Sequence, residues 1–98
     1  MRLQGKIGIV TAAGSGMGRA GAIRFAREGA QVAVVDVDAD RVKQVVGEIT
    51  AAGGTAHGIV ADLTRDDDSR RIVWEARDRF RGLDFVWNHV GHPGPAAV

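Results

Sequence analysis

The chain has 98 residues, 45% hydrophobic and 26% charged, with a formal net charge of +1. This is the composition of one small globular domain; it excludes a disordered or membrane-embedded chain and gives no general attraction for nucleic acid or membrane surfaces. Cysteine is absent, which excludes disulfides and thiolate metal sites within the chain and suits a reducing compartment.

Met1 to Lys6 lacks the apolar core of an export signal, and no apolar run approaches membrane-spanning length, so a cytoplasmic location is expected. Apolar, β-branched runs predict strands over Lys6–Thr11, Gln31–Asp36, Thr55–Val60 and Leu83–Asn88. Between them lie three helical patterns. The first, about Gly16–Glu28, presents small residues with Ile23 and Phe25 and ends before Gly29. The second, about Ala39–Ala52, repeats Val42, Val45, Val46 and Ile49 on one face, with Asp38 as its N-cap and Gly53-Gly54 as its stop. The third, about Asp66–Arg81, carries Ile72, Val73, Ala76 and Phe80 on one face and is closed by Gly82. Asp66, Asp67 and Asp68 open it and Arg77, Arg79 and Arg81 end it, each charge matching the helix dipole.

A β-α-β-α-β-α-β series with right-handed crossovers makes a parallel sheet, expected in the order 3-2-1-4, with ligands at the switch point between the first and fourth strands. Thr11 to Gly18 (Thr-Ala-Ala-Gly-Ser-Gly-Met-Gly) follows the first strand, where glycines let the backbone turn and approach a phosphate at a helix N-terminus. Three templates fit this loop. Gly16, Gly18 and Gly21 satisfy G-x-G-x-x-G, with Asp36 about 20 residues on, as the dinucleotide fingerprint asks. Gly14, Gly16 and Gly18 satisfy a G-x-G-x-G loop of the kind that holds S-adenosylmethionine in methyltransferases. A T-G-x-x-x-G-x-G pattern uses Thr11, position 12, Gly16 and Gly18. No Gly-Lys-Ser/Thr follows, which excludes a phosphate-transfer P-loop. At the end of the second strand, the Asp36 carboxylate suits ribose hydroxyls and repels a 2′-phosphate, which favours NAD over NADP.

The remaining polar groups have plainer readings. His57, His89 and His92 lack the spacing of a metal site and are read as structural. Trp87 is read as packing, and Trp74 as lying half exposed beside the third helix's apolar stripe. The arginines of the third helix are interleaved with acids such as Glu75, in an i, i+4 pair with Arg79, and read as a solvated face with no nucleic-acid partner.

In these residues the chain resembles the N-terminal part of a short-chain dehydrogenase/reductase, over essentially its whole length. The resemblance rests on Thr11–Gly18, Asp36, Ala61-Asp62-Leu63-Thr64 after the third strand and Asn88-His89-Val90-Gly91 after the fourth. It implies a Rossmann-type three-layer α-β-α fold occupying residues 1–98 and truncated after the fourth strand. It also implies an NAD site made by Thr11, Ser15, Gly16, Met17, Gly18, Asp36, Asp62, Leu63, Asn88, Val90 and Gly91, with Asp62 holding the adenine amino group. Two departures stand out. Ala12 replaces the family's first glycine, so its backbone should avoid positive φ or else bear strain, and His89 and Val90 replace the family's Asn and Ala. The implied chemistry uses a Tyr-x-x-x-Lys pair and a serine. This chain has no tyrosine, and neither Ser15 and Ser69 nor Lys6 and Lys43 match those positions, so no catalytic residue is assigned. The expectation is an inactive nucleotide-binding half of an NAD-dependent oxidoreductase, with a non-catalytic nucleotide-binding or interaction module as the alternative. Leu83, Phe85, Val86 and Trp87 are expected to face an unfinished sheet, open to self-association or docking through the fourth-strand edge.

Overall fold

The computed structural model describes residues 2–87. Within them the elements are β1 (Ile7–Val10), α1 (Gly16–Arg27), β2 (Gln31–Asp36), α2 (Ala39–Ala51), β3 (Thr55–Val60), α3 (Asp66–Phe80) and β4 (Phe85–Trp87). All strand pairs are parallel and the order is β3-β2-β1-β4, as the sequence predicts. The registers Val10↔Val34, Val10↔Trp87 and Asp36↔Val60 bring the C-terminal ends of all four strands to one edge. That edge is where a doubly wound sheet opens a ligand crevice.

The helices divide into two layers, and each has its own core. Val10, Val32 and Val34 pack beneath α1 and α2 against Ala22, Val42, Val45 and Ile49, while Ile9, Ala33, Val35 and Ile59 pack against Ile72 and Ala76 of α3. Strand alternation produces this split, since successive side chains of β1 and β2 point to opposite faces. β1 is buried throughout and β2 nearly so, while β3 at the sheet margin is mostly half-buried, so the continuous apolar runs mark the central strands.

Helix ends follow the expected chemistry in α2, where the Asp38 carboxylate accepts the N–H groups of Asp40 and Arg41 and Gly53 takes a left-handed turn at φ 90°. In α3 the turn differs from expectation. Arg81, rather than Gly82, adopts the left-handed conformation at φ 65°, and its N–H closes on the Arg77 carbonyl. Glu75 also pairs otherwise than predicted, with Arg71 at 3.2 Å and His57 at 3.1 Å.

Among the described residues β4 is the outer strand of the sheet, but its side chains are less open than the sequence suggests. Leu83 packs into the α3 core, while Phe85 and Trp87 pack into the α1 core, leaving Val86, 49% exposed, as the one large apolar side chain of this segment open to solvent. Phe25 meets Phe85 and Trp87 edge-on, with ring centroids 5.0 and 5.3 Å apart. The Trp87 ring fills the notch left by the missing Cβ of Gly21, so β4 lies close against α1. Trp74, by contrast, is 71% exposed, with the Arg77 guanidinium 5.9 Å from its ring centre.

Candidate functional site

The crevice at the C-terminal edge of the sheet is built around the loop between β1 and α1. Thr11 is buried, and its N–H donates to the Trp87 carbonyl at 3.1 Å, which ties the start of the loop to β4. Ala13 donates to the Val35 carbonyl at 2.9 Å, tying the loop to β2 as well. Ser15 is the N-cap residue of α1 but makes no capping bond with its side chain. Among the described residues the N–H groups of Gly16, Met17 and Gly18 have no hydrogen-bond partner. Three free donors at the positive end of a helix form an anion cradle.

Two glycines make that cradle possible. Gly16 has φ +58°, a conformation costly for other residues, and a Cβ at Gly18 would overlap the Ala12 carbonyl oxygen. Ala12 itself sits at φ 51°, so of the two options open to it the chain takes the strained one. A left-handed alanine costs about 1–2 kcal/mol. Ala12→Gly should therefore raise stability by about 1 kcal/mol, read as a melting temperature about 4–8 °C higher in a thermal unfolding scan.

Asp36 joins the loop to the end of β2. Its Oδ2 accepts the Gly14 N–H at 2.9 Å and its Oδ1 accepts the Asp38 N–H at 3.0 Å. Each oxygen keeps acceptor capacity, since an ionised carboxylate offers about four lone-pair sites. Asp36 thus fixes the loop's position and retains room for hydroxyl donors.

Next to it lies a hollow lined by Val37, Val60, Ala61, Asp62, Arg65 and Asp68. The segment after β3 folds back to form it. The Asp62 N–H donates to Asp68 Oδ2 at 2.8 Å, and Asp62 Oδ1 accepts the Thr64 hydroxyl at 2.6 Å and the Thr64 N–H at 3.0 Å. These bonds from Thr64, the hydroxyl first, hold the Asp62 carboxyl below the ordinary carboxylate pKa, with the positive charge of Arg65 adding to them. A lowered pKa in the folded state means the bonds stabilise the fold above the ordinary value and fade only as pH falls through the lowered one. Thr64→Val should move the Asp62 midpoint back up toward the ordinary value, measured by carboxyl NMR titration. Leu63 beside it is half-buried and packs on the α3 core.

The structure therefore brings Ser15, Gly16, Met17, Gly18, Asp36 and Asp62 to one edge, with Thr11 and Leu63 behind them. Asn88, Val90 and Gly91 lie outside the described residues, as do His89 and His92. Sequence reasoning missed Asp68, which accepts the Asp62 N–H, and the wall residues Val37 and Arg65. An acid placed in the first helical turn after an Asp-x-Thr was the available signal for Asp68. Among the described residues no cluster of His, Asp and Glu could hold a metal, and no helix is long and apolar enough to cross a membrane.

A family profile described as short chain dehydrogenase matches residues 6–98. The 1-deoxy-11-beta-hydroxypentalenate dehydrogenase of Streptomyces exfoliatus is 40% identical over 95 residues, which are 97% of this chain and 34% of the relative. The 2,5-dichloro-2,5-cyclohexadiene-1,4-diol dehydrogenase LinX of Sphingobium indicum is 42% identical over 95 residues, 95% of this chain and 38% of the relative. Among solved structures, a 7α-hydroxysteroid dehydrogenase complexed with NADH and 7-oxo glycochenodeoxycholic acid superposes with a TM-score of 0.92 at 38% identity, covering 96% of this chain and 37% of that one. The chain thus spans little more than a third of the length of these relatives.

Proposed function

The chain belongs to the short-chain dehydrogenase family, and from that premise we propose that it forms the adenosine half of an NAD site in an oxidoreductase acting on an alcohol or carbonyl. The observation that carries this reading is the bond from the Gly14 N–H to Asp36 Oδ2, which ties a carboxylate to the loop that leads into the free N–H groups of Gly16, Met17 and Gly18. Those donors suit a diphosphate, Asp36 suits the ribose hydroxyls, and Asp62 at the hollow suits an exocyclic amino group. The carboxylate of Asp36 repels a 2′-phosphate, which sets NAD above NADP. When bound, the nicotinamide ring supplies the hydride acceptor or donor.

This chain's own residues do the binding and orienting. With no tyrosine in the sequence, we assign it no proton-transfer step, and the 98-residue polypeptide binds without turning over. The absence of cysteine supports a cytoplasmic setting. A second contact, self-association or docking through β4, is part of the same reading. It is supported by the outer backbone edge of β4 and by exposed Val86, and a strictly monomeric sedimentation profile at high concentration would remove it.

Calorimetric titration with NAD, NADP and S-adenosylmethionine tests the proposal. The expected result is binding in the order NAD over NADP, none for S-adenosylmethionine, and no change in absorbance of the reduced cofactor on adding carbonyl compounds. Tighter binding of S-adenosylmethionine would replace this reading with a methyltransferase-like one.

A further inference from the structure

The first turns of α1 meet the sheet through glycine. Gly18 and Gly21 are both buried, and with no Cβ at either position the helix comes closer to the sheet than side chains would allow. What stands opposite them then sets the depth of the helix. Opposite Gly18 is the Ala12 carbonyl, and opposite Gly21 is the Trp87 ring, which a Cβ there would overlap. Phe25, one turn further on, meets the same ring edge-on with centroids 5.3 Å apart, and meets Phe85 at 5.0 Å. Phe85 in turn lies over Gly8, its register partner in β1, where a Cβ would overlap its ring as well. Two rings seated on glycines and gripped by a third leave Trp87 little freedom to yield.

Trp87 also holds the other end of the loop. Its carbonyl accepts the Thr11 N–H at 3.1 Å and the Thr11 hydroxyl at 3.4 Å. Thr11 opens the loop, and Gly21 lies about one turn beyond Gly18, the last donor of the anion cradle. One residue of β4 thus holds the chain where it leaves β1 and again just after α1 begins. The direction of the Gly16, Met17 and Gly18 N–H groups follows from those two points. Such groups serve an anion only where they converge on it.

We propose that Trp87 is a positioning residue for the cradle: its ring sets the depth of α1 and so aims the three N–H groups at the diphosphate. Trp87 acts through α1 and the loop, and the proposal rests on the dinucleotide reading above. Gly21 and Trp87 then form a matched pair. A methyl added at Gly21 lifts the helix off the ring, and removal of the ring lets the helix sink or tilt.

The experiment titrates ADP and adenosine into the 98-residue chain, its Gly21→Ala and Trp87→Val variants, and the double variant. Backbone amide shifts are followed at a temperature where circular dichroism shows each one folded. Adenosine carries no phosphate and reports the Asp36 and Asp62 end alone. In each single variant ADP is expected to bind about tenfold or more weakly, the loss from one misaligned hydrogen bond to a charged group. Adenosine affinity should stay within about twofold, because its contacts are distant from Trp87. In the double variant the new methyl occupies space the ring vacates, and ADP affinity should return to within about threefold of the unsubstituted chain. Should Trp87→Val not fold, Trp87→Phe takes its place, since its smaller ring reaches less far into the notch. Unchanged ADP affinity in the single variants would overturn the proposal. Equal losses for ADP and adenosine would make the ring merely structural and overturn it too, as would a double variant no better than the singles. An unsubstituted chain that binds neither ligand would remove the dinucleotide reading and this proposal with it, whereas ADP binding indifferent to substitution removes this proposal alone.

Discussion

Gly18→Ala is expected to destabilise the fold by on the order of 3 kcal/mol and to weaken dinucleotide binding more than a hundredfold. The new Cβ would overlap the Ala12 carbonyl oxygen, with the Ala13 Cα also too close at 3.1 Å. Both are backbone atoms, so no side chain can swing aside to make room. Relief requires moving α1 off the sheet or opening the loop, and either displaces the N–H groups of Gly16, Met17 and Gly18 that form the anion cradle. The measurable results are a melting temperature lower by roughly 10 °C or more and loss of binding heat with NAD. A variant that melts normally and binds NAD normally would mean the loop is held otherwise than described.

Asp36→Asn is expected to change ligand choice more than stability. The amide retains one oxygen, so it can accept from Gly14 or Asp38 but no longer from both with a full charge. Hydrogen bonds to a charged group contribute about 1.5–3 kcal/mol, so NAD affinity should fall by on the order of tenfold to a hundredfold. NADP affinity should hold or rise, because the repulsion between a carboxylate and a 2′-phosphate is gone. The NAD-to-NADP ratio from parallel titrations is the decisive quantity. An unchanged ratio would show that Asp36 anchors the loop and has no part in cofactor choice.

Most of the architecture was legible in the sequence because its signals are local and agree with one another. The Val42, Val45, Ile49 stripe, the Asp38 cap and the Gly53 turn each specify α2 independently, and the structure shows all of them. β4 was less legible. Its residues read as an apolar run with an open side, yet Phe85 and Trp87 are covered by α1, which depends on the missing Cβ of Gly21 more than sixty residues away in the chain. The loop after β1 was legible in its glycines and ambiguous at Ala12, since sequence alone cannot say whether a strained backbone or an altered turn is cheaper. Least legible was the hollow. Asp62 stood out by its motif, but Asp68, Val37 and Arg65 meet it only because the chain folds back through the Asp62–Thr64 turn into α3.

The central claim is that the loop, Asp36 and the Asp62 hollow form one dinucleotide site already assembled in this chain. Backbone amide NMR with NAD titrated into the 98-residue polypeptide tests it most directly. The expected result is saturable shifts of the Gly14, Gly16, Met17 and Gly18 amides together with those of Val37, Asp62 and Arg65, while amides on the far side of α2 stay still. Shifts confined to other surfaces, or none at millimolar NAD, would contradict it.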